Sequence, residues 1–132
     1  MNSNFLNEFC RDWLAAWTGN NPEKLISFYA PDIFYKDPAV AKGIRGCEAL
    51  LAYLKKLLAK NPDWVWQPLE ILPTEPGFVL KWQAEIPANG HVITVEGLDI
   101  VELREQKISR NEVYFDRSLL LHPTQVNPSS AK

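Results

Sequence analysis

The chain of 132 residues predicts a single α+β domain, with helices in the first half and an antiparallel sheet in the second. Three observations predict it. Apolar residues recur at helical spacing up to about residue 60, the mark of amphipathic helices. Beyond that point come long strand-like runs joined by tight-turn signals, Asn89-Gly90 above all, because both residues tolerate positive φ. Helices first and strands after is the order of a layered α+β domain.

The elements follow in order. Leu6, Phe9, Cys10, Trp13, Leu14 and Trp17 form one apolar face of a first helix, which Gly19 ends. Asn21 caps a second helix and Pro22 fits its first position, where a missing N–H costs nothing. Leu25, Ile26, Phe28 and Tyr29 supply that helix's buried side, and Pro31 ends it. Residues 33–37 read as a short strand. A third helix runs from about Cys47 to Lys60, with Leu50, Leu51, Leu54, Leu57 and Leu58 as its stripe. Lys55, Lys56 and Lys60 suit the negative end of its dipole, and Asn61-Pro62 stops it.

Trp64 to Leu72 is a strand interrupted by Pro68, hence an edge strand or a bulged one. Phe78 to Ile86, His91 to Leu103 and Lys107 to Asp116 are the remaining strands, with Arg104-Glu105-Gln106 as the second tight turn. On the long strand Val95, Gly97, Asp99, Val101 and Leu103 share one face, and Glu96, Leu98, Ile100 and Glu102 the other. Both faces carry apolar residues. One covers the helices, and the other predicts a homodimer through the sheet face. The domain spans 1–122, and 123–132 form a flexible tail.

Composition narrows the function. A net charge of -2 without a basic stripe implies no nucleic-acid partner. Apolar runs fall far short of the ~18 residues of a membrane span, so no membrane is implied. Met1-Asn2-Ser3-Asn4 lacks the basic start and apolar core of a signal peptide. Cys10 and Cys47 read as reduced, buried thiols, and the expected location is cytoplasmic. His91 and His122 have no neighbouring ligands, so no metal site is expected. With no phosphate loop, dinucleotide fingerprint or nucleophile elbow, no cofactor is expected either.

The residues that carry chemistry begin with Asp37-Pro38, at the end of a short apolar strand and before Gly43 and Gly46. In an apolar pocket Asp37 is a general base, its pKa raised toward working pH. The competing reading is a solvated acid that opens a turn. Asp99 is either a neutral acid donating to a substrate oxygen or a buried carboxyl satisfied by a backbone amide or Arg110. Ionised and unpaired, it would cost several kcal/mol to bury. Trp13, Trp17, Tyr29 and Trp82 line a ligand cavity or form plain core, while Trp64 and Trp66 read as packing or interface residues.

Taken together, Trp13-Leu14-Ala15-Ala16, Phe28-Tyr29-Ala30-Pro31-Asp32, Asp37-Pro38, Gly46 before a helix, Lys107-Ile108 and Val113-Tyr114-Phe115-Asp116-Arg117 resemble the nuclear transport factor 2-like superfamily. The similarity is to its SnoaL-like and ketosteroid isomerase-like members and covers roughly residues 5–121. It implies a cone-shaped, cystatin-like roll, in which a strongly curved sheet wraps the helices around a cavity. It also implies catalytic roles for Asp37, which falls at the isomerase's Asp-Pro, and for Asp99, which falls at its protonated Asp. The isomerase's tyrosine donor is Trp13 here, so steroid isomerisation itself is not implied. The water-activating triad of limonene epoxide hydrolases is absent, because Val113 occupies a carboxylate's place. Register then points Asn111, Val113 and Phe115 into the cavity, with Glu112 and Tyr114 outward. The implied substrate-binding set is Trp13, Trp17, Tyr29, Leu54, Trp82, Asn111 and Phe115.

Three functions compete on these residues. One is a cofactor-independent cyclase, isomerase or lyase acting on a small hydrophobic carbonyl compound. Another is a module that binds a small hydrophobic molecule without chemistry. The last is an assembly role through the exposed sheet face.

Overall fold

A computed structural model describes residues 3–118; the expected tail, 123–132, lies outside the described residues. The elements in chain order are α1 (Ser3–Thr18), α2 (Pro22–Ile26), β1 (Tyr29–Lys36), β2 (Ile44–Arg45), α3 (Cys47–Lys60), β3 (Val65–Pro73), β4 (Gly77–Ala88), β5 (His91–Arg104) and β6 (Lys107–Phe115). The strands form one curved, unclosed sheet in the order β2-β1-β6-β5-β4-β3, and helices pack on its inner face. The fold is therefore the expected α+β layering. The third helix and the last four strands lie where their sequence signals put them. No described helix is long and apolar enough to cross a membrane.

Two features of the first half differ from expectation. The second helix stops at Ile26, not at Pro31, so Phe28, Tyr29 and Pro31 are not helical. Pro31 disfavours the helical conformation in the residue before it, and the run Ile33-Phe34-Tyr35 has strong strand propensity. The extended conformation therefore spreads back to Tyr29, which pairs with Ile108, and the Ile108 amide donates to the Phe28 carbonyl at 2.8 Å. Pro31 falls in the stretch between Tyr29 and Phe34 where pairing with β6 shifts register. In addition, β1 runs parallel to β6, whereas the other neighbouring strands are antiparallel. The two-residue strand β2 was not foreseen.

The turns carry the hairpins as local chemistry requires. Asn89 and Gly90 both have positive φ, at 51° and 81°, as a two-residue turn matched to strand twist demands. Glu105 and Gln106 adopt the same conformation, at 52° and 65°, without the usual residues. Pro68 sits at a register shift of β3, which is an edge strand, so its missing N–H interrupts only one ladder.

The core is divided along α1. As far as Trp13 it packs into solid aromatic core, where Phe9 and Trp13 meet Phe28, Tyr29 and Phe78 at centroid distances of 5.5 to 6.4 Å. Its last turn, at Leu14 and Trp17, faces a hollow instead. On β5 the alternation is as predicted: Ile93, Val95, Asp99, Val101 and Leu103 are buried, while Val92 and Leu98 on the other face are exposed.

Candidate active site

The hollow is a cavity of about 780 Å³ bounded by α1, α3, the end of β1 with the turn after it, and the inner face of β3 to β6. That volume is within the range of small-molecule sites. Both carboxylates singled out in the sequence line it, Asp37 and Asp99. Asp37 follows Lys36, which pairs with Glu112, and so comes level with Val113; Val113 pairs in turn with Asp99. Two inter-strand steps of ~4.8 Å set the two backbones roughly 10 Å apart across the cavity floor.

The two carboxyl groups are held in opposite ways. Asp37 Oδ1 accepts from the amides of Ala39 and Val40, at 2.8 and 3.1 Å. Its Oδ2 accepts from the hydroxyls of Tyr35 and Tyr53, both at 2.7 Å. A carboxylate offers about four lone-pair sites, so all of them are engaged. Asp37 thus opens a turn, as one reading held, yet it is buried rather than solvated. Tyr35 reaches Asp37 because residues two apart share a strand face, and Tyr53 reaches it from α3. Burial and the adjacent Asp37 charge push both phenols above their ordinary range, so both stay protonated and keep donating.

Asp99 accepts one bond on each oxygen: from Trp82 Nε1 at 2.7 Å and from Asn111 Nδ2 at 3.0 Å. One lone-pair site per oxygen remains. Burial pushes its pKa up to about 6, opposed by the Asn111 and Trp82 bonds and aided by the charge of Asp37. Arg110, a partner considered for Asp99, turns to the opposite face and pairs with Glu102 and Glu112. Gly97 makes the Trp82 contact possible. A Cβ there would come within 2.4 Å of the indole, so only glycine lets Trp82 lie across β5.

Behind Asp99 runs a buried chain of hydrogen bonds. Trp13 Nε1 donates to the Tyr29 hydroxyl at 3.2 Å, and that hydroxyl donates to Asn111 Oδ1 at 3.2 Å. Asn111 is thereby held with its amide turned toward Asp99.

Among the expected binding residues, Trp17, Trp82 and Phe115 line the cavity. Trp13, Tyr29, Leu54 and Asn111 do not; they are buried behind its wall. Trp13 belongs to the aromatic core, and its indole N–H is committed to Tyr29. Leu54 packs into the same core. Tyr29 and Asn111 contribute through Asp99 rather than by touching the hollow.

Sequence reasoning missed Tyr35, Tyr53, Trp64 and Trp66. Trp64 and Trp66, expected as packing or interface residues, line the cavity as a continuation of Trp17: ring centroids are 5.3 Å apart for Trp17–Trp66 and 5.4 Å for Trp64–Trp66. Thr18 Oγ1 accepts from the Trp66 amide at 2.9 Å and ties β3 to the end of α1. The signal for Tyr35 was available, since it sits two residues before Asp37 on one strand.

The thiols stay apart from this chemistry. Both cysteines are free, and burial pushes Cys10 up to about 12.

Fold and site together define a curved-sheet protein with a cavity floored by two carboxyl groups. Residues 10–111 match the SnoaL-like domain family, and the chain belongs to that family. None of the curated proteins matches the sequence. Similar solved structures share the fold. A SnoaL-like protein from Burkholderia thailandensis E264 is 18% identical with a TM-score of 0.75, covering 88% of this chain and 98% of its own. A protein of ketosteroid isomerase-like fold from Catenulispora acidiphila DSM 44928, in complex with trimethylamine, is 21% identical with a TM-score of 0.75, covering 84% and 87%. An NTF2-like protein from Burkholderia pseudomallei K96243 is 13% identical with a TM-score of 0.78, covering 96% and 100%.

Proposed function

We propose that the chain is a cofactor-independent acid/base enzyme acting on a small hydrophobic carbonyl compound, with Asp99 as the group that exchanges the proton. The observation that supports this most is the state of Asp99. It faces a cavity with unused lone pairs and a pKa pushed up to about 6, close to the pH at which a base works best. Ionised Asp99 takes a proton from the carbon next to the carbonyl and returns it at another position. Asp37 has no lone pair left for this step. Its part is to hold Tyr35 and Tyr53, either of which can turn its proton from Asp37 to a developing enolate oxygen, with the other still bound.

The test is hydrogen–deuterium exchange next to the carbonyl of 2-tetralone in D2O, followed by NMR. Wild-type protein is expected to accelerate exchange, and Asp99→Asn to lose at least about a hundred-fold of that acceleration. No acceleration by the wild type, or the same acceleration in Asp99→Asn, overturns the reading.

The full engagement of Asp37 favours a second reading, a module that binds a hydrophobic molecule without chemistry. It predicts ligand binding with no exchange. Pairing of two copies through the outer sheet face is also proposed, supported by Leu98 and Tyr114, which pair across β5 and β6 and are exposed there. Sedimentation of Leu98→Glu against wild type tests it: the variant is expected as monomer, the wild type as dimer.

A further inference from the structure

The hydrogen bonds behind Asp99 have a direction that their end groups impose. An indole N–H can donate and never accept, and Trp13 Nε1 meets the Tyr29 hydroxyl at 3.2 Å. The single proton of that hydroxyl therefore cannot be spent on Trp13. Burial pushes the Tyr29 phenol far above its ordinary range, so the proton stays in place. Asn111 Oδ1 accepts it at 3.2 Å. A side-chain amide carries an oxygen on one side and an NH2 on the other. With its oxygen turned to Tyr29, Asn111 presents its nitrogen to Asp99 Oδ2 at 3.0 Å. Turned the other way, it would strand the Tyr29 proton in a buried site. Trp82, a second indole, donates to Asp99 Oδ1 at 2.7 Å.

Tyr29 reaches Asn111 through a bulge in β6. Tyr29 lies level with Ile108, three residues before Asn111. In a regular strand residues 108 and 111 would point to opposite faces. Glu102 pairs with Arg110 and Leu103 with Ile108, so Ser109 is an extra residue, and the alternation reverses across it. Ile108 and Asn111 are both fully buried as a result.

We propose that Tyr29 is a positioning residue for Asp99: by holding the oxygen of Asn111 away from the carboxyl, it lets the wall offer Asp99 donors alone, so that a proton taken up by Asp99 faces the cavity. With the amide reversed, protonated Asp99 would donate to Asn111 Oδ1, and its proton would be lost to the wall. The use of this arrangement in catalysis rests on the proton-transfer reading; the arrangement itself does not.

The titratable groups near Asp99 are Asp37 and Tyr29 on the β1 side and Cys10 on α1. Burial pushes Cys10 up to about 12, so Cys10 and Tyr29 both stay neutral while Asp99 titrates. Tyr35 and Tyr53 turn to Asp37, and Lys60 and Arg117 line the same cavity. Tyr29→Phe therefore removes a hydrogen bond and no charge.

The test follows the Asp99 carboxyl carbon of the full chain by ¹³C NMR against pH, with a wild-type inflection near 6. Tyr29→Phe is expected to raise the inflection by about one pH unit, because the amide is free to turn its oxygen to protonated Asp99. Asn111→Leu raises it as well, by loss of a donor, and adding Tyr29→Phe to Asn111→Leu moves it no further. Phe9→Leu, which loosens the same aromatic core beside Trp13, leaves it unmoved, since a packing loss does not turn the amide. Tyr29→Phe keeps its ring, so its contrast with Phe9→Leu decides the matter even where Asn111→Leu fails to fold. An unmoved inflection in Tyr29→Phe, a further rise of the same size in the Asn111→Leu background, or an equal rise in Phe9→Leu overturns the proposal. Inflections that move as expected, with no deuterium exchange by the wild type, overturn the proton-transfer reading alone.

Discussion

Asp37 and Asp99 flank Val113 on one cavity floor, yet their surroundings set them to different work. Asp37 takes four donors, two from the turn that follows it and two from tyrosines. Asp99 takes two, from an indole and an amide, and burial outweighs them. The first carboxylate is a joint in the scaffold, to which β1, α3 and the turn are fastened. The second keeps capacity for a visiting proton. Two acids in one pocket are separated in role by how many lone pairs the protein itself consumes. Position in the fold alone does not separate them.

The largest effect is expected from Asp99→Asn, which should cut exchange at least about a hundred-fold, while Asp37→Asn retains a larger share of it. Parallel assays of the two variants check this, and a reversed order would exchange the roles. Asp37→Ala should cost about 2–4 kcal/mol in urea unfolding, because it strands the buried Tyr35 hydroxyl and removes the acceptor of the Ala39 amide, while the Val40 amide keeps its bond to the carbonyl of residue 37.

A third test concerns pH. Asp99 titrates near 3.8 unfolded and about 6 folded, so between those values the native state holds a proton the unfolded chain has lost. Stability therefore falls as pH rises through this window, by about 3 kcal/mol at most, and is level on either side. Unfolding of wild type and Asp99→Asn from pH 4 to 7 should show the wild type losing stability relative to the variant as pH rises. Smallest is Gly97→Ala, expected to cost about 1–3 kcal/mol by overpacking against Trp82 and to reduce exchange by loosening the indole from Asp99. A variant as stable and active as wild type would remove Trp82 from the account.

Much of this was legible before any coordinates. Helical spacing located α1 and α3, and Asn89-Gly90 set the hairpin that puts Asp99 on the inner face of β5. The two acids that floor the cavity are the two the sequence singled out. What the sequence could not supply was depth. Periodicity says that Trp13 and Trp17 both point inward, but they are one turn apart, and that turn separates solid core from hollow. The same holds for Tyr29 and Asn111, which face inward and stop one layer short of the cavity. Trp64 and Trp66 were misplaced because an edge strand reaches the cavity only when the sheet curves around it. The parallel pairing of β1 with β6 was hidden too, since Pro31 read as the end of a helix.

The proposed proton transfer depends on the proton affinity of one buried carboxyl. Titrating the Asp99 carboxyl carbon by ¹³C NMR, assigned by its loss in Asp99→Asn, tests it most directly. An inflection near 6 is the predicted result, and an inflection near ~4, the ordinary value for aspartate, would contradict it.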